Sequence, residues 1–102
     1  MITLQLDIQP QTEKQLKRII SYHQDQEIFA KNFLNYHINE LKKGITNIRI
    51  DLKQFEKIYQ MSTKNFYDEF ENGKRNDHED YITWAGLYEM YCENKQQLEE
   101  FI

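Results

Sequence analysis

From Ile2 to Gln9 the chain alternates strictly: Ile2, Leu4, Leu6 and Ile8 are aliphatic, Thr3, Gln5, Asp7 and Gln9 are polar, and Pro10 ends the run. A period of two puts the aliphatic side chains on one face of a strand and the polar ones on the other. No later segment alternates as long, so the chain offers no partner strand of its own. An isolated strand leaves its backbone donors and acceptors unpaired, and a two-fold related copy of the chain completes the ladder as one antiparallel ribbon. The pattern therefore predicts a homodimer joined through Ile2, Leu4, Leu6 and Ile8.

The remainder reads as helix. Gln11 to Tyr22 puts Leu16, Ile19 and Ile20 on one face and Lys14, Lys17 and Arg18 on the other, with Thr12 as the expected N-cap. Asp25 is placed to cap the next helix, in which Leu34, Ile38, Leu41, Ile45, Ile48, Leu52, Phe55 and Tyr59 are spaced 4, 3, 4, 3, 4, 3 and 4. A 4/3 repeat of this length is the seam of a helix packing along another helix, and Leu34, Ile38 and Leu41 are expected to extend the dimer interface. Gly44 costs about 1 kcal/mol against Ala inside a helix, and Ile48-Arg49-Ile50 also fits a short strand. A kink or break is therefore expected near Gly44. Ser62 opens a short helix through Phe66, Tyr67 and Phe70 that Asn72-Gly73 closes. A charged connector over residues 74–80 leads to a last helix, capped by Asp80, whose stripe is Tyr81, Trp84, Leu87, Tyr88, Tyr91, Leu98 and Ile102.

Composition limits the function classes. With 102 residues, 39% hydrophobic and 14% aromatic, the chain is one small folded domain, or a domain with an appendage, and is too aromatic to be disordered. Its single cysteine, Cys92, excludes a disulfide framework or a cysteine zinc cage and fits a reducing compartment. The chain shows no basic-then-apolar leader and no apolar run near the roughly 20 residues of a membrane span. A cytoplasmic protein without membrane contact is expected. The net charge of −4 is uneven: residues 1–50 hold seven Lys/Arg against five acids, whereas residues 51–102 hold six against twelve.

Catalytic groupings are weak. His23, His37 and His78 are far apart, and Cys92 has no neighbouring His to activate it. His37 reads as a structural histidine beside the apolar stripe, and Asp77-His78-Glu79-Asp80 as a solvated turn with a helix cap, since it lacks the alternating oxygen ligands and glycine of a calcium loop. No enzyme, metal or cofactor is expected.

Strand, helix, turn and helix in this order over residues 2–42 resemble the ribbon-helix-helix DNA-binding proteins, many of which are antitoxins of type II toxin-antitoxin modules. The resemblance implies a mainly α fold: a ribbon-helix-helix domain over residues 1–43, with an intermolecular two-stranded β-ribbon, then a helical, acidic, aromatic-rich region over residues 44–102. It implies that Thr3, Gln5 and Asp7 face DNA bases, with Lys14 beside them. The strand carries no basic residue, whereas family members often have Lys or Arg there. The run Met61 to Phe70 and the stretch Trp84 to Tyr91 are similar in order and composition to antitoxin tails. Phe66, Tyr67, Phe70, Tyr81, Trp84, Tyr88 and Tyr91 would then anchor a toxin partner, or alternatively fill the chain's own core. The leading expectation is a homodimeric antitoxin that occludes its cognate toxin and binds operator DNA. The alternatives are a stand-alone ribbon-helix-helix regulator and a helical assembly adaptor that never touches nucleic acid.

Overall fold

The structure is a computed structural model that describes residues 3–102. Four helices make up the regular structure of the described residues: α1 (Pro10–Ser21), α2 (Gln26–Tyr59), α3 (Thr63–Glu71) and α4 (Glu79–Glu99). The chain divides into two compact units, one ending at Tyr36 and the other spanning His37–Ile102. This division comes earlier than the expected 43/44 boundary.

The expected β-ribbon is absent. No strand occurs among the described residues, and residues 3–9 have no regular secondary structure. A strand needs a ladder, and the alternation of Leu4, Leu6 and Ile8 finds no backbone partner along this chain. Pro10 consequently starts a helix where it was expected to stop a strand. It occupies the first turn of α1, where its missing N–H is no loss and its fixed φ suits the helix. The Gln9 carbonyl accepts the Glu13 N–H at 2.9 Å. Thr12, the expected cap, thus lies inside α1. Ile2 lies outside the described residues.

Asp25 caps α2 as its position suggested: its carboxylate accepts the Glu27 N–H at 2.9 Å and its carbonyl the Phe29 N–H at 3.1 Å. The helix then runs 34 residues without a break, about 50 Å at 1.5 Å per residue. Gly44 does not interrupt it, and Ile48-Arg49-Ile50 is helical. The burial of Leu41, Ile45, Ile48 and Leu52 along one seam outweighs a single glycine's cost of about 1 kcal/mol.

In the second unit α2 and α4 run antiparallel. His37 meets Phe101 edge-on, Arg49 donates to the Tyr91 hydroxyl, and Tyr59 donates to the Asp80 carboxylate, so partners rise on one helix as they fall on the other. A left-handed Gln60 (φ 54°) ends α2. The Ser62 hydroxyl accepts the Asn65 N–H at 3.2 Å, and the Glu56 carboxylate reaches from α2 to accept the Thr63 N–H at 2.8 Å. Gly73, at φ 73°, closes α3 with the Lys74 N–H bonded to the Glu69 carbonyl at 2.8 Å, a six-to-one link that satisfies an end carbonyl. Arg75 folds the connector back: its guanidinium donates to Glu69 at 2.8–2.9 Å and lies 5.6 Å from the Tyr81 ring centroid. His78, rather than Asp80, caps α4, with its Nδ1 accepting the Asp80 N–H at 3.1 Å.

The core of this unit is aromatic. Trp84 and Phe66 are 0% exposed and stack with centroids 3.9 Å apart and planes 3° from parallel. Ile48, Leu52 and Ala85 complete the buried cluster, with Phe55, Tyr59, Met61, Tyr67, Phe70 and Tyr81 packed around it. The one polar group of Trp84 is satisfied: its indole N–H donates to the Thr63 hydroxyl at 3.0 Å.

Candidate functional site

The first unit has no buried residue among those described. On α1, Leu16 and Ile20 are half-buried and Ile19 is exposed. At its C-terminal end the Tyr22 side chain stands 76% exposed. The early part of α2 carries apolar residues on two faces. Leu34 begins the 4/3 seam, while Phe29, Phe33 and Tyr36, spaced 4 and 3, form a second stripe on the opposite side. Phe33 is 65% and Tyr36 67% exposed; Phe29 is half-covered by an edge-on contact with His23 at 5.3 Å. A helix apolar on two sides has more surface to bury than one neighbour can cover.

The charges of this unit balance. Lys14, Lys17, Arg18 and Lys31 stand against Asp7, Glu13, Asp25 and Glu27. Two of these pairs close on their own helices: Lys17 meets Glu13 at 2.7 Å and Lys31 approaches Glu27 at 3.9 Å. The lysine holds the Glu13 carboxyl below its ordinary range, through their hydrogen bond first and its charge second. An apolar surface whose ionic groups sum to zero suits an uncharged counterpart.

The residues singled out by sequence fall into separate places. Thr3, Gln5 and Asp7 are exposed in the irregular segment before α1, and Lys14 is exposed on α1. With no strand to align them, the expected base-reading row is not formed. Leu4 is 83%, Leu6 65% and Ile8 38% exposed, in a segment that forms no strand from which the expected ribbon could be built. Along the seam, Leu34 is exposed and Ile38 half-buried, while Leu41 is buried within this chain's own fold. Of the aromatics expected to clamp a partner, Phe66 and Trp84 are enclosed, and no partner can touch them without opening the core. Tyr67, Phe70, Tyr81, Tyr88 and Tyr91 are half-buried around that core.

Several of these tyrosines are tied to charged groups. Tyr59 donates to Asp80, which pushes its phenol up to about 12, and Tyr67 donates to Glu89 at 2.8 Å, which raises it further in the same direction. Tyr91 moves the other way, because its hydroxyl accepts from Arg49. The three histidines are dispersed: His23 rests on Phe29, His37 on Phe101, and His78 caps α4. No group of three metal-ligating side chains converges among the described residues, and none of the described helices is long and apolar enough to cross a membrane.

Sequence reading missed the Phe29, Phe33 and Tyr36 stripe, although its helical spacing is visible once α2 is known to start at Gln26. No family model, no curated protein sequence and no solved structure gave a significant match to this chain.

Proposed function

We propose that this chain acts by docking, with its first unit completed by a second copy of the same chain. The observation that carries this reading is the absence of any buried residue among those described before Leu41, in a segment that nonetheless has exposed Leu, Ile, Phe and Tyr on two helices. A unit of this size buries too little to hold itself, since below about 40 residues independent folding usually needs a staple or a partner. Balanced charge in the first unit permits like to meet like. The second unit, with nine Lys/Arg against thirteen acids, would repel its own copy.

The helical faces of α1 and early α2 form the contact in this reading, and no β-ribbon is involved. The test is mass by light scattering across a concentration series, comparing the intact chain with Phe33→Glu combined with Tyr36→Glu. Both side chains are exposed, so the variant keeps its helicity. A dimer that the double variant reduces to a monomer supports the reading. A chain that is monomeric throughout, or a dimer indifferent to both substitutions, refutes it.

The antitoxin role is a second reading, favoured by the acidic excess of the second unit, which suits a basic protein partner. Co-expression with the product of the adjoining gene tests it. A complex that resists low salt but dissociates as ionic strength rises supports electrostatic capture, whereas failure to co-purify removes this reading and leaves the dimer intact.

A further inference from the structure

The second unit is acidic overall, yet one depression on it, floored by apolar surface, has three cations on its lining. Its volume is about 290 Å³, and Arg49 and Lys53 of α2, Lys64 of α3, and Tyr91 of α4 stand on its lining. Arg49, Lys53 and Lys64 are all exposed, and none takes part in an ion pair among the described residues, where the pairs are Glu13–Lys17, Glu27–Lys31 and Glu69–Arg75. The only carboxylate on the lining, Glu56, is engaged with the Thr63 N–H at 2.8 Å. Glu56 keeps its charge, so the lining carries three cations against one carboxylate.

Arg49 is held in place. Its guanidinium donates to the Tyr91 hydroxyl at 3.2 Å and lies 5.8 Å from that ring's centroid. Lys95 approaches the same ring at 5.4 Å, adding a fourth cation beside the depression. The local positive potential is also felt by Tyr91, whose phenol is shifted below its ordinary value by Arg49 and Lys95. A local excess of cations on a unit that is acidic overall is a place where an anion would be attracted.

The geometry points to a binding site for a phosphate monoester in the depression lined by Arg49, Lys53, Lys64 and Tyr91. A monoester carries roughly −1.5 to −2 charge at neutral pH and three acceptor oxygens. That matches one planar guanidinium fork and two mobile ammonium groups better than it matches a monoanionic carboxylate. The N–H groups of Thr63 and Asn65 are already bonded to Glu56 and Ser62, so the side chains carry the recognition rather than the helix end. This site lies wholly in the second unit and is independent of the docking proposed for the first.

The test is a titration of the full-length, isotope-labelled chain by NMR with inorganic phosphate, adenosine monophosphate, adenosine, and sodium chloride at matched ionic strength. Saturable shifts confined to Arg49, Lys53, Lys64 and Tyr91 are expected with phosphate and with the nucleotide, and none with adenosine. Tighter binding of the nucleotide than of phosphate marks an organic phosphate as the ligand; equal binding marks the phosphate group alone. Arg49→Gln and Lys53→Gln should each weaken binding about tenfold, the loss of one charge-assisted contact. Lys64→Gln, which leaves the Arg49–Tyr91 bond untouched, should do the same, so the result does not depend on one variant's fold. Shifts reproduced by chloride, shifts elicited by adenosine, or affinities unchanged in all three variants overturn the proposal.

Discussion

Replacing Thr63 with Val removes one hydroxyl at nearly constant shape, and the structure says what that should do. Thr63 is 5% exposed, and its hydroxyl is the acceptor for the indole N–H of Trp84, itself 0% exposed, at 3.0 Å. Water cannot replace the lost acceptor without entering a core in which Trp84 stacks on Phe66 at 3.9 Å and lies near-parallel to Phe55 and Tyr59 at 5.5 and 5.7 Å. An enclosed donor without a partner costs about 1–3 kcal/mol. Val and Thr differ little in helix propensity, and the Glu56 bond uses the Thr63 backbone, so the hydroxyl is the main thing lost. For a domain of this size each kcal/mol lowers the melting temperature by about 4–8 °C.

The decisive assay is a double-mutant cycle read by urea denaturation with helicity as the signal. Thr63→Val on the natural background should cost about 1–3 kcal/mol. On a Trp84→Phe background the donor is gone, and the same substitution should cost no more than about 0.5 kcal/mol. Thr63→Ser, which keeps the acceptor, should sit between the two. If Thr63→Val is equally damaging on both backgrounds, the hydrogen bond is not what Thr63 contributes, and the account of the core is wrong.

Gly44→Ala should stabilise the chain by about 0.5–1 kcal/mol, because an added Cβ would lie 3.5 Å from the Asn94 amide nitrogen, an ordinary contact; a lower melting temperature would show that Asn94 cannot accommodate it. Asp25→Ala removes the cap of α2 and should cost about 0.5–2 kcal/mol, visible as faster amide exchange at Glu27 and its neighbours; unchanged exchange would argue against the cap. In alkali the Tyr59 contribution is complete below its unfolded value of about 10 and is lost as pH rises through its folded value of about 12. Tyr91, shifted down by Arg49, has the opposite sign: its phenolate is favoured in the folded chain and forms first. Phenolate absorbance followed alongside helicity should therefore show Tyr91 ionising before unfolding and Tyr59 with it, and Asp80→Asn should bring the Tyr59 step forward. A Tyr59 step indifferent to that substitution would contradict the assignment.

The parts of the fold legible in the sequence are those in which a pattern is satisfied by the chain itself. The 4/3 seam was legible because Leu41, Ile45, Ile48 and Leu52 bury against elements of the same unit. Asp25, Ser62 and Gly73 were legible because caps are local chemistry: each bonds a backbone group within a few residues. His78 was not, because a histidine caps only when its Nδ1 is free to accept, and Asp80, the stronger capping residue by type, is drawn away to Tyr59. Trp84 and Phe66 could be read as anchors or as core from spacing alone; only their enclosure decides for core.

The alternation at the N-terminus failed for a reason that also separates the two units. Period two says which face a strand would bury, but it supplies neither the ladder nor the surface to bury against. Leu4, Leu6 and Ile8 thus remain exposed, as do Ile19, Phe33 and Tyr36 on the helices that follow. In the second unit every fully enclosed side chain has its counterpart within the chain, down to the hydroxyl that accepts from Trp84. Exposed apolar residues are ordinary when scattered. Among the described residues nine large ones lie before residue 37 with none buried beside them, which leaves the first unit with a hydrophobic surface and no core, the imbalance that the proposed dimer would relieve.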